Sequence, residues 1–566
     1  MSGPAGTRIS AMGSSQLILR RLILYALLFA LVVIAASGLT ALLERLFTTD
    51  ALLVSAGVAE LARALAFTLI GGPLAVLVWW LVWKRLDDET ERAAAGWGLY
   101  VAAMYSVSVV VFTSALLSVA ASFIGRFDPQ WYSALSAGLI WAGVWMWHRW
   151  MWRHPVKHPR NLENVPAVIG SVFGLLLGAG SAISALGALL DIAIRGFTSL
   201  TPTADPWWHS PLRSLVWAVG GSIVWWWHWI HGGGRYLQTR LIDVALVAAG
   251  IFVAGVTALG GSGVVLFVLL RLAFDSSDPM SELLRPLGPA MAATAIGVLV
   301  WRYHRTAAAH RPVGTRRASL LITSGVALAA AASGIGVIIN AMLAMTVSPL
   351  AGGSTRTLLL AGISSLVVGS AVWWRAWKPA RQPTTADAIH PGRRVYLIAF
   401  FGISAVVALV ALLVVGYRLF EFLLGDVSGG SLVDRIRASL GLLVAAGGVA
   451  GYHFVLWRHE RTLFAASSPI HAPAVGHVTL VAGSHHEQLS QAITKATGAR
   501  VTVWRRADEG GDMVAQSPSG SSDIVQQIAE TLAGITAERL LVVVGQDSGS
   551  RARIDVVPLE SGGASR

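Results

Sequence analysis

The chain of 566 residues contains no cysteine. This absence excludes disulfide bonds, thiolate metal ligands and cysteine nucleophiles. Charged residues are scarce too, because Asp, Glu, Lys and Arg make up only 13% of the chain, against about 25% in a typical soluble domain. The composition therefore argues against a disulfide-stabilised secreted fold and against an ordinary soluble protein.

Motifs for catalysis and for nucleotide binding are also missing. The sequence contains no P-loop, no G-x-G-x-x-G fingerprint, no H-E-x-x-H zinc motif and no nucleophile elbow. The net charge is +13, but the basic residues never form the block of five or more that is typical of a nucleic-acid-binding arm. We therefore expect no enzymatic activity, no resident cofactor or metal, and no nucleic-acid partner.

Long apolar runs dominate the sequence instead. Hydrophobic residues make up 55% of the chain and the mean hydropathy is +0.63. About twenty apolar residues in a helix cross the roughly 30 Å hydrocarbon core of a membrane. The sequence predicts an all-α polytopic membrane protein of about twelve spans, at 22–43, 62–83, 95–124, 133–152, 164–194, 212–231, 238–272, 285–304, 317–345, 356–377, 394–424 and 434–457.

Every second predicted span ends in a cluster of aromatic and basic residues, and the starts of these clusters lie 67 to 80 residues apart. Such a regular spacing indicates an internal repeat, here a helical hairpin present six times. We call these segments the aromatic-basic clusters: VWWLVWKR (78–85), WMWHRWMWR (145–153), WWWHWIHGGGR (225–235), VWRYHR (300–305), VWWRAWK (372–378) and YHFVLWRHE (452–460).

The distribution of Lys and Arg predicts the orientation. The N-terminus and the segments after the even spans hold 24 of the 43 basic residues, whereas the rest of the membrane part holds 11. Basic residues concentrate in cytoplasmic loops. We therefore expect a multi-pass protein of the plasma membrane with both termini and all six aromatic-basic clusters on the cytoplasmic side.

The basic-aromatic starts RRLILY (20–25) and RRVYLI (393–398), each followed by a second helix with a Trp/His/Arg-rich end, resemble a bacterial family of tandem-repeat membrane proteins of unknown function. The resemblance covers about residues 19–460. It implies a two-helix repeat in the bacterial inner membrane, and it implies no particular activity.

The predicted domains follow from these patterns. An N-terminal cytoplasmic segment covers 1–21, the membrane domain 22–460 and a linker 461–475. A cytoplasmic α/β domain follows at 476–560, since strand patterns at 476–483, 499–506, 539–547 and 551–559 surround helical patterns at 485–498 and 521–535. Residues 561–566 form a flexible tail, and 508–522 a connector.

The histidines of the aromatic-basic clusters allow two interpretations. A haem in a helix bundle needs two axial histidines from facing helices, and four hairpins place a histidine at a similar point: His148, His228, His304 and His453. Alternatively, Trp, His and Arg mark the places where helices reach the lipid headgroups. We favour the membrane boundary, because the first and fifth clusters lack the histidine.

Few polar residues are predicted within the membrane. Asp191 and Asp243 lie near span ends and Asn340 is uncharged, so the sequence gives little support for proton or sodium coupling. Small residues, in contrast, are frequent, and they let helices pack closely in lipid. They include Gly174 with Gly178, Gly250 with Gly255 and Gly260, Gly334 with Gly336, and Gly447 with Gly451.

In the C-terminal domain the turn from Gly483 to His486 joins a strand to a helix and could present backbone N–H groups to an anion. His485, His486 and Glu487 are adjacent, which is not the spacing of a zinc site. The sequence therefore predicts a membrane scaffold or regulatory protein with membrane lipids around it and a protein partner, or a small ligand, on its C-terminal domain. The alternative is a channel or transporter for an apolar or weakly polar substrate. The oligomeric state is left open.

Overall fold

The computed structural model describes residues 5–47, 57–124, 131–196, 206–275, 278–347, 352–377, 391–425, 431–467, 475–482, 486–505, 531–532, 535, 537–546 and 552–559. The chain forms two compact units, residues 1–457 and residues 458–566. The first unit is helical, and the second contains a small mixed sheet.

Long helices follow one another along the first unit and into the start of the second. They are α1 (Ala5–Phe47), α2 (Gly57–Arg85), α3 (Ala95–Ser122), α4 (Trp131–Trp152), α5 (Val165–Gly196), α6 (His209–Trp226, continued by a π turn over Trp227–His231), α7 (Arg240–Phe274), α8 (Met280–Ala309), α9 (Val313–Val347), α10 (Gly352–Trp377), α11 (Pro391–Leu423) and α12 (Leu432–Ser467).

Within the described residues, ten of these helices are long and apolar enough to cross a membrane. The two that fall short are α4 and α6. Their Trp, His and Arg residues lower the mean hydropathy, whereas the sequence prediction of spans rested on the pattern of apolar runs. Helix α1 begins at Ala5, earlier than the predicted span, and its candidate membrane segment is Gln16–Phe47. The prediction of a multi-pass helical membrane protein is therefore confirmed, whereas the number of spans stays a prediction.

Neighbouring helices pack antiparallel through small residues. Helix α5 packs on α6, and α9 packs on α10. Gly334 lies against Leu366, while Gly369 lies against Ala331. A side chain at these glycines would overlap the backbone of the facing helix, so the glycines permit an approach that dispersion forces then stabilise.

The predicted glycine sets divide into close and open positions. Gly174 and Gly178 lie against the backbone of α6, and Gly334 and Gly336 also face other helices closely. Gly250 lies against a histidine ring, and Gly255 has ordinary contact distances. Among the described atoms, a side chain at the remaining three positions would meet nothing within 4 Å: Gly260, Gly447 and Gly451.

Interruptions in the helices have local causes. Pro73 in α2 cannot donate the backbone hydrogen bond that a regular turn requires, and a π stretch at Phe67–Gly71 comes before it. Further π stretches lie at Trp227–His231 in α6 and at Leu246–Val253 in α7. Such π segments are frequent at functional sites, and the one in α6 lies inside the third aromatic-basic cluster.

The second unit contains strands where the sequence predicts them. They are β1 (Val475–Ala482), β2 (Arg500–Arg505), β3 (Ala537–Gln546) and β4 (Ala552–Leu559), with helix α13 (His486–Thr497) between β1 and β2. The order across the sheet is β2-β1-β3-β4; β1 pairs parallel with both neighbours, and β4 is antiparallel to β3. Val478 of β1 pairs with Val501 and Leu540 in the register. The alternate residues Leu480 and Ala482 on the same face are buried, and Val475 at the start of the strand is buried too.

Gly498 ends α13 with a φ of 70°, a left-handed conformation that glycine adopts without strain. Three predicted features lie outside the described residues: the helix at 521–535 apart from positions 531, 532 and 535, the connector 508–522, and the turn residues Gly483 and His485.

Candidate functional site

The aromatic-basic clusters share a buried position. A valine begins three of the six clusters and comes one to three residues before the start of the other three, and the side chain four residues after each valine points into the protein. The six buried residues are Val82, His148, His228, His304, Ala376 and His453. We call them the fifth positions, counted from the valine as the first. They are covered by neighbouring helices, so the clusters do more than anchor a helix end at the headgroups.

The four fifth-position histidines bind their own helix in the same way. Each Nδ1 lies 2.8 Å from the backbone carbonyl oxygen of the valine four residues earlier: Val144, Val224, Val300 and Val449. A carbonyl oxygen only accepts hydrogen bonds, so Nδ1 carries the proton and donates it. A neutral ring in this tautomer accepts at Nε2.

Two tyrosines of α3 supply the donors for Nε2. The Tyr100 hydroxyl lies 3.0 Å from His148 Nε2, and the Tyr105 hydroxyl lies 2.9 Å from His228 Nε2. His148 belongs to α4, which follows α3 directly, whereas His228 belongs to α6. The second contact therefore joins the second pair of helices to the third by a buried hydrogen bond.

The other two histidines are held mainly by packing. The His304 ring lies against Gly250 in the π stretch of α7, as the His228 ring lies against Gly170 of α5. His453 stacks on Phe400 with ring centroids 5.5 Å apart and an interplanar angle of 23°. Its Nε2 is buried and has no hydrogen-bond partner among the described residues.

The contacts of His148 and His228 do not suit axial coordination of a haem by these two residues. Axial coordination requires a ring nitrogen, yet the Nε2 atoms of His148 and His228 are directed at different tyrosine hydroxyls. In the part of the chain that the structure describes, no group of three or more His, Asp or Glu could hold a metal ion. His148 and His228 act as hydrogen-bonding residues between helices, whereas the rings of His304 and His453 pack against their neighbours.

Tryptophans connect consecutive even-numbered helices. Trp229 Nε1 of α6 donates to the Tyr303 hydroxyl of α8 at 3.0 Å, and Trp377 Nε1 of α10 donates to the Tyr452 hydroxyl of α12 at 2.7 Å. At the equivalent place α2 and α4 bring the rings of Trp79 and Trp147 to 5.3 Å. These contacts group the helices in fours: α1–α4, α5–α8 and α9–α12.

The polar residues that the sequence singles out take part in internal pairs. Asp191 pairs with Arg195 one turn later. Asp243 accepts a hydrogen bond of 3.0 Å from the Thr315 hydroxyl, and Asn340 Oδ1 accepts one of 2.9 Å from Arg437. The contacts of Asp243 and Asn340 connect two helices each, whereas the Asp191–Arg195 pair lies within α5.

A large apolar cavity lies among α7, α9, α10 and α11. Its volume is about 750 Å³, and none of the residues that line it is charged. The sequence contains no motif for this cavity, because single residues from four different helices, between Phe252 and Phe400, form its wall. Its polar wall residues are Ser333, Ser364, Ser365 and Tyr396.

The C-terminal unit has a second candidate surface at the carboxyl edge of its sheet. Strands β1 and β2 are parallel, so their carboxyl ends lie at the same edge. His486 begins α13 just after β1, and its Nε2 lies 3.2 Å from a guanidinium nitrogen of Arg505 at the end of β2. The sequence identified the turn before His486, but it did not identify Arg505.

Residues 21–147 and residues 317–448 are each similar to a domain of unknown function (DUF5671). The first segment contains most of α1 to α4, and the second most of α9 to α12. The repeat that matches is thus four helices long, in agreement with the tryptophan contacts, and the intervening α5–α8 lies outside both matches. The chain matches no curated protein and no solved structure.

Proposed function

We propose that the chain is a multi-pass protein of the bacterial inner membrane with twelve spanning helices in six hairpins. Ten helices support this by length and hydropathy. Helix α4 has 22 residues, about 33 Å at 1.5 Å per residue, which is enough to cross the hydrocarbon core. Its packing against α3, together with the packing of α6 against α5, supports counting both among the spans.

The orientation that we propose places both termini and the aromatic-basic clusters in the cytoplasm, because the segments beside the clusters carry most of the basic residues. The cysteine-free chain permits a direct test with single cysteines. In intact cells a membrane-impermeant maleimide should label Glu282→Cys, in the first turn of α8, and should label Arg235→Cys only after permeabilisation. The opposite pattern of labelling would overturn the orientation.

The function that we propose is that of a membrane scaffold or regulatory protein whose C-terminal domain binds a protein partner or a small ligand. The carboxyl edge of the sheet carries this proposal. The chain passes from β2 on one side of β1 to β3 on the other side, and in open parallel sheets a reversal of this kind leaves a crevice where ligands bind. The His486–Arg505 pair lies at this edge and provides a cationic contact.

Deletion of residues 470–566 tests the proposal. We expect the full chain, cross-linked in its own membrane and purified, to retain a defined partner that the deleted chain loses while still inserting. Arg505→Ala should weaken the retention, and Lys495→Ala, an exposed lysine of α13, should not. Equal retention by the full and the deleted chain would exclude binding by the C-terminal domain.

A second candidate is a channel or transporter for an apolar or weakly polar substrate, which the cavity among α7, α9, α10 and α11 favours. Such a pathway requires no buried charge. It predicts that substrate flux into liposomes survives the deletion of residues 470–566, whereas the scaffold proposal predicts no flux by either chain.

A further inference from the structure

The cavity among α7, α9, α10 and α11 lies at membrane depth, because all four helices are candidate membrane spans. Its volume of about 750 Å³ is within the range of about 300–1,000 Å³ in which proteins bind small molecules. Phe252, Phe267, Ile322 and Phe400 give it an apolar wall, and the cavity is partly open. A hydrocarbon chain from the surrounding lipid fits this chemistry.

Two of these helices carry an arginine beyond the cavity wall, toward the aromatic-basic clusters. Arg375 follows the lining residue Val368 of α10 by seven residues, which places it on the same face about 10 Å further on. Arg393 comes three residues before Tyr396 of α11, and its guanidinium group lies 5.6 Å from the Trp377 ring. The cavity is therefore apolar along its length and cationic beyond one end.

A further arginine comes to the same end from α8. The guanidinium group of Arg305 lies 4.9 Å from the Trp301 ring, and Trp301 packs beside Gly255, the neighbour of the lining residue Val256. Arg305 and Arg375 thus bring two positive charges to this end. Like charges in a partly desolvated place destabilise the fold unless an anion lies between them. A phosphate group accepts hydrogen bonds from guanidinium groups and would remove this repulsion.

We propose that the cavity holds an acyl chain of an anionic membrane phospholipid whose phosphate binds Arg305 and Arg375. The apolar wall selects the chain, and the two arginines select the charge of the headgroup. Tyr396, at the cationic end of the wall, carries a hydroxyl that suits the ester region between them. The site belongs to the membrane unit and does not depend on the function proposed for the C-terminal domain.

Native mass spectrometry of the full-length protein in detergent tests this site. The protein is titrated with phosphatidylglycerol and, in parallel, with phosphatidylcholine of the same acyl chains. We expect phosphatidylglycerol to be retained about tenfold better. Since one arginine near a lipid surface contributes about 1 kcal/mol, Arg305→Gln and Arg375→Gln should each lower the retention of phosphatidylglycerol about fivefold. They should leave the retention of phosphatidylcholine unchanged.

Two further variants locate the lipid. Ala329→Phe fills the cavity and should lower the retention of both lipids, with circular dichroism and size-exclusion chromatography as checks of folding. Arg285→Gln removes an exposed arginine from the loop side of α8 away from the clusters, and it should change neither. Equal retention of the two lipids by the wild type, or losses with Arg285→Gln as large as those with Arg375→Gln, would overturn the proposal. If Ala329→Phe does not fold, the arginine variants alone decide the question, because Arg375 is exposed and its replacement does not disturb the core.

Discussion

Gly221→Val is expected to separate α5 from α6 and to lower the melting temperature of the purified protein strongly. A Cβ atom on Gly221 would overlap the backbone of Gly178, and one on Gly174 would overlap the backbone of Trp225. The obstacle is backbone on both sides, so no change of rotamer can relieve it. We expect a loss at the upper end of the about 1–3 kcal/mol that overpacking usually costs, or more. Fluorescence-detected size-exclusion chromatography after heating measures it.

Gly180→Val is the matched control, because Gly180 lies in α5, the helix on which α6 packs, and a Cβ atom there would meet nothing within 4 Å. Its melting temperature should remain close to that of the wild type. Both variants replace a helical glycine by valine, so both change helix propensity and backbone freedom in the same way. If they lower the melting temperature equally, helix propensity and not close packing is responsible.

Arg311→Met should also destabilise the protein, through the loops that follow α6 and α8. Arg311 is buried; its guanidinium group donates to the carbonyl oxygens of Leu237 and, at 2.7 Å, of Arg235, and it lies 3.7 Å from Asp243. Without it two carbonyls lose their donor and Asp243 loses its cation. Removing one partner of a buried ion pair costs about 3–5 kcal/mol.

Limited trypsin digestion together with thermal melting measures this effect, since the loop between α6 and α7 should become cleavable at Arg235. Arg311→Lys keeps the charge, but it cannot reach both carbonyls with the fixed fork of a guanidinium group, so we expect an intermediate loss. Arg240→Met removes an exposed arginine of the same region and should have little effect. A melting temperature for Arg311→Met equal to that of Arg240→Met would contradict the structural role of Arg311.

The aromatic-basic clusters show how far sequence patterns could predict the site. The clusters and their spacing were visible because Trp, His and Arg are rare elsewhere in the apolar runs. The interpretation as a lipid boundary did not predict that His148 and His228 are covered by protein. The clue was the valine four residues before each histidine, which repeats even in the two clusters where the fifth position is Val82 or Ala376.

The length of the repeat was also only partly visible. The sequence predicts a two-helix unit, since every second helix ends alike. The contacts of Trp229 with Tyr303 and of Trp377 with Tyr452 group the helices in fours, as do the two segments similar to the domain of unknown function. A sequence pattern does not show which helices become neighbours in space.

Composition and periodicity sufficed to predict a multi-pass helical protein and a small C-terminal α/β unit, because hydrophobic length and the alternation of side chains along a strand are local properties. The partners of Tyr105, Arg311 and Gly221, and the cavity beside Arg375, arise only from folding. Each depends on contacts between residues that lie tens or more than a hundred positions apart in the chain. The free energy of helix packing depends on both surfaces in contact, so it cannot be read from one segment of the sequence.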